Sequence, residues 1–138
     1  MADLAGELIA RIAQRATGRG VFLVGIAGGV AAGKSTLART LADGLEAADL
    51  PVQIVATDGF LKPNAALEAA GLGMKKGFPE TYDTQALHAF LDALAAGRNT
   101  DIPVYSHVTY DILPGETRPI EAVGVVIVEG INVLQTAQ

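Results

Sequence analysis

Residues 28–35 read Gly-Gly-Val-Ala-Ala-Gly-Lys-Ser, which fits G-x-x-x-x-G-K-[ST], and no other feature constrains the fold of this chain as tightly. In a loop of that pattern successive backbone N–H groups point inward and cradle phosphate oxygens, an approach that side chains at Gly28 and Gly33 would block. Such a loop needs a strand to deliver it and a helix to receive it. Val21 to Ala27 (VFLVGIA) is the short apolar run expected of a strand covered on both faces. From Ser35 to Ala48 the residues Leu37, Leu41 and Leu45 recur at helical spacing, and the positive end of that helix adds to the anion site. Gly28, Gly29, Val30, Ala31, Ala32 and Gly33 then form the cradle, closed by Lys34, Ser35 and Thr36. Lys34 is expected to reach the β- and γ-phosphates of a nucleotide such as ATP, and the Ser35 hydroxyl to ligate Mg²⁺. A dinucleotide-binding turn competes poorly, because Gly25, Gly28 and Gly29 do not give G-x-G-x-x-G.

The rest of the chain extends the same architecture. Leu4, Leu8, Ile9, Ile12 and Ala16 make an apolar stripe, which predicts a leading helix over residues 1–18. After Pro51, Val52 to Ala56 (VQIVA) reads as a second strand, so strand, helix and strand predict a right-handed parallel crossover. Asn64 to Ala70 is a short helix, Gly71 to Pro79 a loop, and Thr84 to Ala96 a helix with Leu87, Phe90, Leu91 and Leu94 inward and Gly97 as its stop. Ile102 to Ile112 reads as extended, Pro114-Gly115 as a turn, and Val123 to Val128 (VGVVIV) as another buried strand. The expected fold is α/β: a single domain over residues 1–138 with a phosphate-loop parallel sheet and helices on both faces.

In a parallel sheet all strands end on the edge that carries the phosphate loop. Asp58 follows the second strand directly, so its carboxylate is expected beside the γ-phosphate, where it can take a proton from an acceptor hydroxyl or hold Mg²⁺ through water. Taken alone, Asp58-Gly59 is equally a turn dipeptide. Glu129 ends the last apolar run and reads as a second metal anchor. His107, in Tyr105-Ser106-His107, is a candidate that spacing alone does not separate from a structural histidine. His88 falls opposite Leu87, Leu91 and Leu94 and reads as solvated, and Lys75 and Lys76 read as exposed loop lysines.

Composition removes other classes. The chain has no cysteine, so disulfides and thiolate chemistry are out, and its two histidines are too few for a histidine-rich zinc site. Ten basic against fifteen acidic residues, a net charge of −5, argue against a nucleic-acid binder. No apolar run approaches the roughly 20 residues of a membrane span, and Asp3, Glu7, Arg11 and Arg15 interrupt any signal-peptide core. A soluble cytoplasmic domain is the expectation.

Several stretches resemble type I (bacterial) pantothenate kinases: GIAGGVAAGKSTLAR (Gly25 to Arg39), TDGFLKPN (Thr57 to Asn64), MKKGFPETYD (Met74 to Asp83), PVYSHVTYD (Pro103 to Asp111) and VEGINVLQ (Val128 to Gln135). The phosphate loop is common to many kinases, whereas MKKGFPETYD and PVYSHVTYD are far more specific. The resemblance implies ATP- and Mg²⁺-dependent phosphorylation of pantothenate to 4′-phosphopantothenate, the entry step of coenzyme A synthesis. It implies Lys34 and Ser35 at the phosphates and metal, Asp58 as base, and Tyr105, His107 and Tyr110 on the substrate side. Arg39 then falls at a position linked to nucleotide and to feedback inhibition by coenzyme A, and Glu129 is the strand-end acid. Such kinases form homodimers and continue well past VEGINVLQ, so the chain to Gln138 is expected to be their N-terminal part, with a bare sheet edge beside Val123 to Val128. Two alternatives accompany this reading: a nucleotide-binding remnant without turnover, and a kinase of the uridine kinase or phosphoribulokinase branch with another small acceptor.

Overall fold

The computed structural model describes residues 4–16, 20–27, 34–76 and 79–130, with Lys34, Ser35 and Pro79 described as backbone. The chain runs α1 (Leu4–Ala16), β1 (Val21–Ala27), α2 (Lys34–Ala47), β2 (Val52–Ala56), α3 (Asn64–Ala69), α4 (Thr84–Ala95), β3 (Thr100–Ser106), β4 (Asp111–Ile120) and β5 (Gly124–Gly130). Short 3₁₀ turns fall at Thr57–Phe60, Gly73–Lys75 and Pro79–Thr81.

β5 organises the sheet. Its four consecutive residues Val125 to Val128 are all buried, because the strand is sandwiched on both faces and paired on both edges. The order is β1-β5-β2, all parallel, with Val24 opposite Ile127 and Ile54 opposite the same residue. Val125 and Ile127 point to the face covered by α1 and α2, where Ile12, Ala38, Leu41 and Leu45 are buried with them. Val126 and Val128 point to the other face, against Leu87, Phe90 and Leu94 of α4 and against Ile102 and Ile120. Each such fully buried aliphatic side chain contributes about 1.5–3 kcal/mol. Helices on both faces of a parallel sheet are therefore present as expected. The bare edge is not beside Val123 to Val128: β5 is central, and among the described residues the unpaired strand edges belong to β1 and β2. The β1–α2–β2 crossover leaves one strand position free, and β5 fills it.

The stretch after α4 departs from the sequence reading. Ile102 to Ile112 is not one extended segment; β3 and β4 form an antiparallel two-stranded sheet that turns at residues 107–110. Pro114-Gly115 is not a turn between elements but lies inside β4. Its breaker character is still expressed. Pairing steps from Pro103↔Thr117 to Tyr105↔Ile112, so residues 113–116 bulge opposite Val104, and Gly115 takes φ +75°. Residues 114–119 are exposed, and an edge strand tolerates proline where a central one would not. A second correction concerns His88, which is half-buried with an enclosed Nε2 that has no hydrogen-bond partner among the described residues. Leu91 packs on the core as expected, and Ala86 does so too, so the buried arc of α4 is wider than the stripe of Leu87, Phe90, Leu91 and Leu94 suggested. Gly97 (φ +81°) does stop α4, and the Asp83 side chain starts it by accepting from the Ala86 N–H at 3.0 Å.

Candidate active site

β2 ends at Ala56, which is level with Glu129 of β5, and the chain then tightens into the Thr57–Phe60 turn. Thr57 is 1% exposed and packs on the end of β5, where a Cβ at Gly130 would lie 1.8 Å from Thr57 Oγ1. From the other side β3 presses on the turn, because a Cβ at Gly59 would lie 2.7 Å from the Pro103 carbonyl oxygen. Asp58 is thereby fixed between two close backbone approaches, at the C-terminal edge of the sheet.

His107, at the tip of the β3–β4 hairpin, brings Nε2 to 3.5 Å from Asp58 Oδ2. Both side chains reach solvent, His107 at 72% and Asp58 at 39% exposure, so the pair is open to a ligand and adds little to stability. The Tyr105 ring meets the His107 ring edge-on with centroids 5.0 Å apart. Asp58, Tyr105, His107 and Arg118 line a common cavity of about 170 Å³ between β2 and the hairpin. Arg118 is anchored there by donating Nη2 to the Ile54 carbonyl at 3.0 Å, on the outer edge of β2. A second cavity, about 190 Å³, lies on the far side of Gly59 among Phe60, Leu61, Pro63 and Ile112; its lining is mainly apolar and its one carboxylate, Asp83, is engaged in capping α4.

Beneath the pair lies Tyr82, 5% exposed. A short ladder places it: Leu61 bridges Tyr82, the Lys62 N–H donates to Thr81 at 2.9 Å and the Asp83 N–H to Phe60 at 2.7 Å. Burial raises the Tyr82 phenol above its ordinary 10.0, the neighbouring Asp58 carboxylate raises it further, the nearby Thr57 hydroxyl pulls it back, and Tyr105 adds a smaller upward push. Tyr82, Arg118 and Lys76 are the site residues that the sequence reading did not single out as functional. Tyr82 lies in MKKGFPETYD, a segment whose resemblance marks the stretch and not this residue.

The other candidates lie at the end of β5, on α2 and on the hairpin turn. Glu129 is half-buried, and strand alternation sets it on the Val125 and Ile127 face, the side that α2 covers. α2 begins at Lys34, so the helix that should receive the loop is in place. The cradle positions Gly28, Gly29, Val30, Ala31, Ala32 and Gly33 lie outside the described residues. Thr36 is exposed on α2, and Arg39 pairs with Asp43 at 3.5 Å on its surface. Tyr110 is 64% exposed at the hairpin turn with φ 55°. Asp58, Tyr105 and His107 are thus brought together, Tyr110 lies on the same hairpin, and Arg39 stands apart on the helix.

A parallel sheet whose first strand leads into G-x-x-x-x-G-K-S, with carboxylates at the ends of β2 and β5, defines a phosphate-loop domain of the kinase type. Residues 23–137 match the family model of the phosphoribulokinase/uridine kinase family, and the chain belongs to that family. It is 53% identical over 121 residues to the pantothenate kinase of Rhodopseudomonas palustris (strain TIE-1), and 50% identical over 119 residues to that of Streptococcus pneumoniae (strain Hungary19A-6). Both alignments cover 85% of this chain, and the chain spans 38–39% of the length of these curated relatives. Among solved structures it resembles a proposed fructose transport system kinase of Silicibacter sp. TM1040, with TM-score 0.85, 30% identity, and coverage of 96% of this chain and 65% of that one. A possible uridine kinase of Bacillus stearothermophilus shares the fold, with TM-score 0.64 at 22% identity over 91% of this chain and 72% of that one.

Proposed function

We propose that this chain carries the phosphate-loop and acceptor walls of an ATP-dependent pantothenate kinase, which transfers the γ-phosphoryl group of ATP to the primary hydroxyl of pantothenate and yields 4′-phosphopantothenate. The observation that carries the reading is the Asp58–His107 pair at 3.5 Å, lining a cavity at the sheet edge where β2 ends. The identity to two curated pantothenate kinases supports pantothenate as the acceptor.

An Asp58 oxygen takes the hydroxyl proton as the new oxygen–phosphorus bond forms and the bond to the bridging oxygen of ATP breaks, releasing ADP. Because the transferring group is loosely bonded at the top of the barrier, most of the catalysis is positioning and charge stabilisation. His107 orients Asp58 and, with Tyr105, forms the wall against which the acceptor lies. Lys34 neutralises charge at the β- and γ-phosphates. The residue types fit Mg²⁺, a cation that takes oxygen ligands: Ser35 is the second residue of α2, and Glu129 falls on the α2-facing side of the sheet. When bound there, the ion screens the phosphate charge. The same reading places Arg39 on the nucleotide side, with coenzyme A as a feedback ligand, two copies pairing, and the cytoplasm as the setting.

The test is a coupled assay of ADP release by the full-length protein with pantothenate or uridine as acceptor. Pantothenate-dependent release is expected, with kcat about 10²-fold lower in Asp58→Asn, the usual scale for a lost general base, and ATP affinity nearly unchanged. Release that depends on uridine instead, or an Asp58→Asn variant as fast as wild type, would overturn the assignment.

A further inference from the structure

Two lysines stand side by side in the glycine-rich loop, and they differ. Lys75 is exposed; Lys76 is half-buried and reaches three groups at once. Its Nζ donates to Asn64 Oδ1 at 2.9 Å and to the Tyr110 carbonyl, and it stacks over the Tyr105 ring at 4.9 Å from the centroid. Those partners belong to separate elements: Asn64 begins α3, Tyr110 ends the hairpin turn, and Tyr105 lies near the end of β3. Tyr110 is held in the left-handed region at φ 55°, which a tyrosine enters only when its surroundings hold it there. The holding groups are visible. Besides Lys76, the Asn64 side-chain amide donates to the Tyr110 carbonyl at 3.0 Å, and Asp111 Oδ1 accepts from the Asn64 N–H at 3.0 Å and the Ile112 N–H at 2.8 Å.

From Tyr105 the contacts continue toward the chemistry. Its ring meets His107 at 5.0 Å, and His107 meets Asp58 at 3.5 Å. Among the described residues, the exposed His107 ring has no ion pair other than the one to Asp58, which lies outside the hairpin. Its orientation therefore depends on the Tyr105 ring and on the turn that Lys76 fixes. An ammonium over a tyrosine face is attracted by the negative face of the ring, and this one is also anchored by two oxygen acceptors.

We propose that Lys76 is a positioning residue: it latches the hairpin tip onto α3 and so holds Tyr105 and His107 against Asp58 as a preformed acceptor wall. The proposal rests on the reading of Asp58 and His107 as the acceptor site. Lys76 acts through Tyr105 and the turn, with no contact of its own to the reacting atoms required.

The experiment compares Lys76→Met, Lys76→Arg and Lys75→Met in the full-length protein. Two signals are read: the His107 ring-proton resonances, assigned by their loss in His107→Gln, and the separate KM values for pantothenate and ATP. In Lys76→Met the His107 resonances are expected to lose the ring-current shift that Tyr105 imposes. The KM for pantothenate is expected to rise about 10-fold, the scale of 1.4 kcal/mol, with the KM for ATP within about 2-fold of wild type. Lys76→Arg, which keeps the cation and its donors, restores both signals, and Lys75→Met leaves both as in wild type. Unchanged His107 resonances in Lys76→Met overturn the latch. Shifted resonances with an unchanged pantothenate KM overturn the positioning role. Should Lys76→Met fail to fold, Asn64→Ala, which removes the lysine's acceptor, is judged by the same two signals. If the wild-type protein shows no pantothenate-dependent turnover, the proposed function fails, and the His107 spectra still decide whether the latch exists.

Discussion

Tyr82 is the residue whose ionisation the fold perturbs most visibly, and its surroundings set the sign of a pH effect. Burial and the Asp58 carboxylate both favour the neutral phenol, so its folded value lies above the ordinary 10.0. Below pH 10 the folded and unfolded chains both keep this proton, and the contribution to stability is fully present. As pH rises from there through the folded value, the unfolded chain releases the proton first, and stability falls. Thermal unfolding followed from pH 8 to pH 11 should show an alkaline loss that is smaller in Tyr82→Phe than in wild type; equal slopes would mean that folding does not raise the phenol's ionisation. Gly130 supports the same turn by lacking a side chain. An added Cβ would meet Thr57 at 1.8, 2.8 and 2.9 Å, with β5 on one side and buried Thr57 on the other. Gly130→Ala should therefore lower unfolding stability by about 1–3 kcal/mol, as overpacked cores do, measured as a shift of the urea midpoint. A midpoint within error of wild type would show that the turn gives way easily.

At the scale of elements, α4 shows how a local signal and tertiary packing cooperate. Leu87, Phe90 and Leu94 bury it, and Asp83 caps it through the Ala86 N–H. Asp83→Ala should cost about 1 kcal/mol of unfolding stability, with Asp83→Asn close to wild type; a loss shared by both variants would point to charge rather than to capping. The same contrast explains what could be read in advance. β1 and β2 match the apolar runs between glycine and proline residue for residue, and α2 and α4 agree to within one residue at each end, because burial on a strand or one helix face leaves a periodic trace. β4 leaves none. Residues 114–119 are exposed and carry two prolines, so neither alternation nor an apolar run marks them, and a proline–glycine pair that bulges a strand looks the same in sequence as one that turns. The insertion of β5 between β1 and β2 is a choice of register and order that no local pattern encodes. Asp58 and Glu129 were legible because a strand end is a defined place. Tyr82, Arg118 and Lys76 were not, because each joins the site through a partner distant in sequence: Asp58, Ile54 and Tyr105.

For the molecule as a whole, the balance of charge decides what these 138 residues can do by themselves. They contain ten lysines and arginines, of which Arg118 is the last, and they span 38–39% of the length of the curated pantothenate kinases they match. Phosphoryl transfer requires cations around the migrating group and exclusion of water once the substrates are seated. Of the cations placed here, Lys76 is engaged with Asn64 and Tyr110, Arg39 pairs with Asp43, and Arg118 donates to Ile54. The Asp58–His107 pair stands open to solvent, and the outer edge of β1 has no strand partner among the described residues. On the proposed reading, Asp58, His107 and Glu129 amount to one wall of a cleft. Expressed alone, the 138 residues should bind ATP·Mg²⁺ weakly through the loop and release ADP in the presence of pantothenate far more slowly than the roughly 1 s⁻¹ at the lower end of ordinary kinase turnover. Calorimetry with ATP and a coupled ADP assay, each with and without pantothenate, separate the two halves of this prediction. Turnover at or above that rate, dependent on pantothenate, would mean that this wall carries enough charge stabilisation and water exclusion to run the reaction unaided.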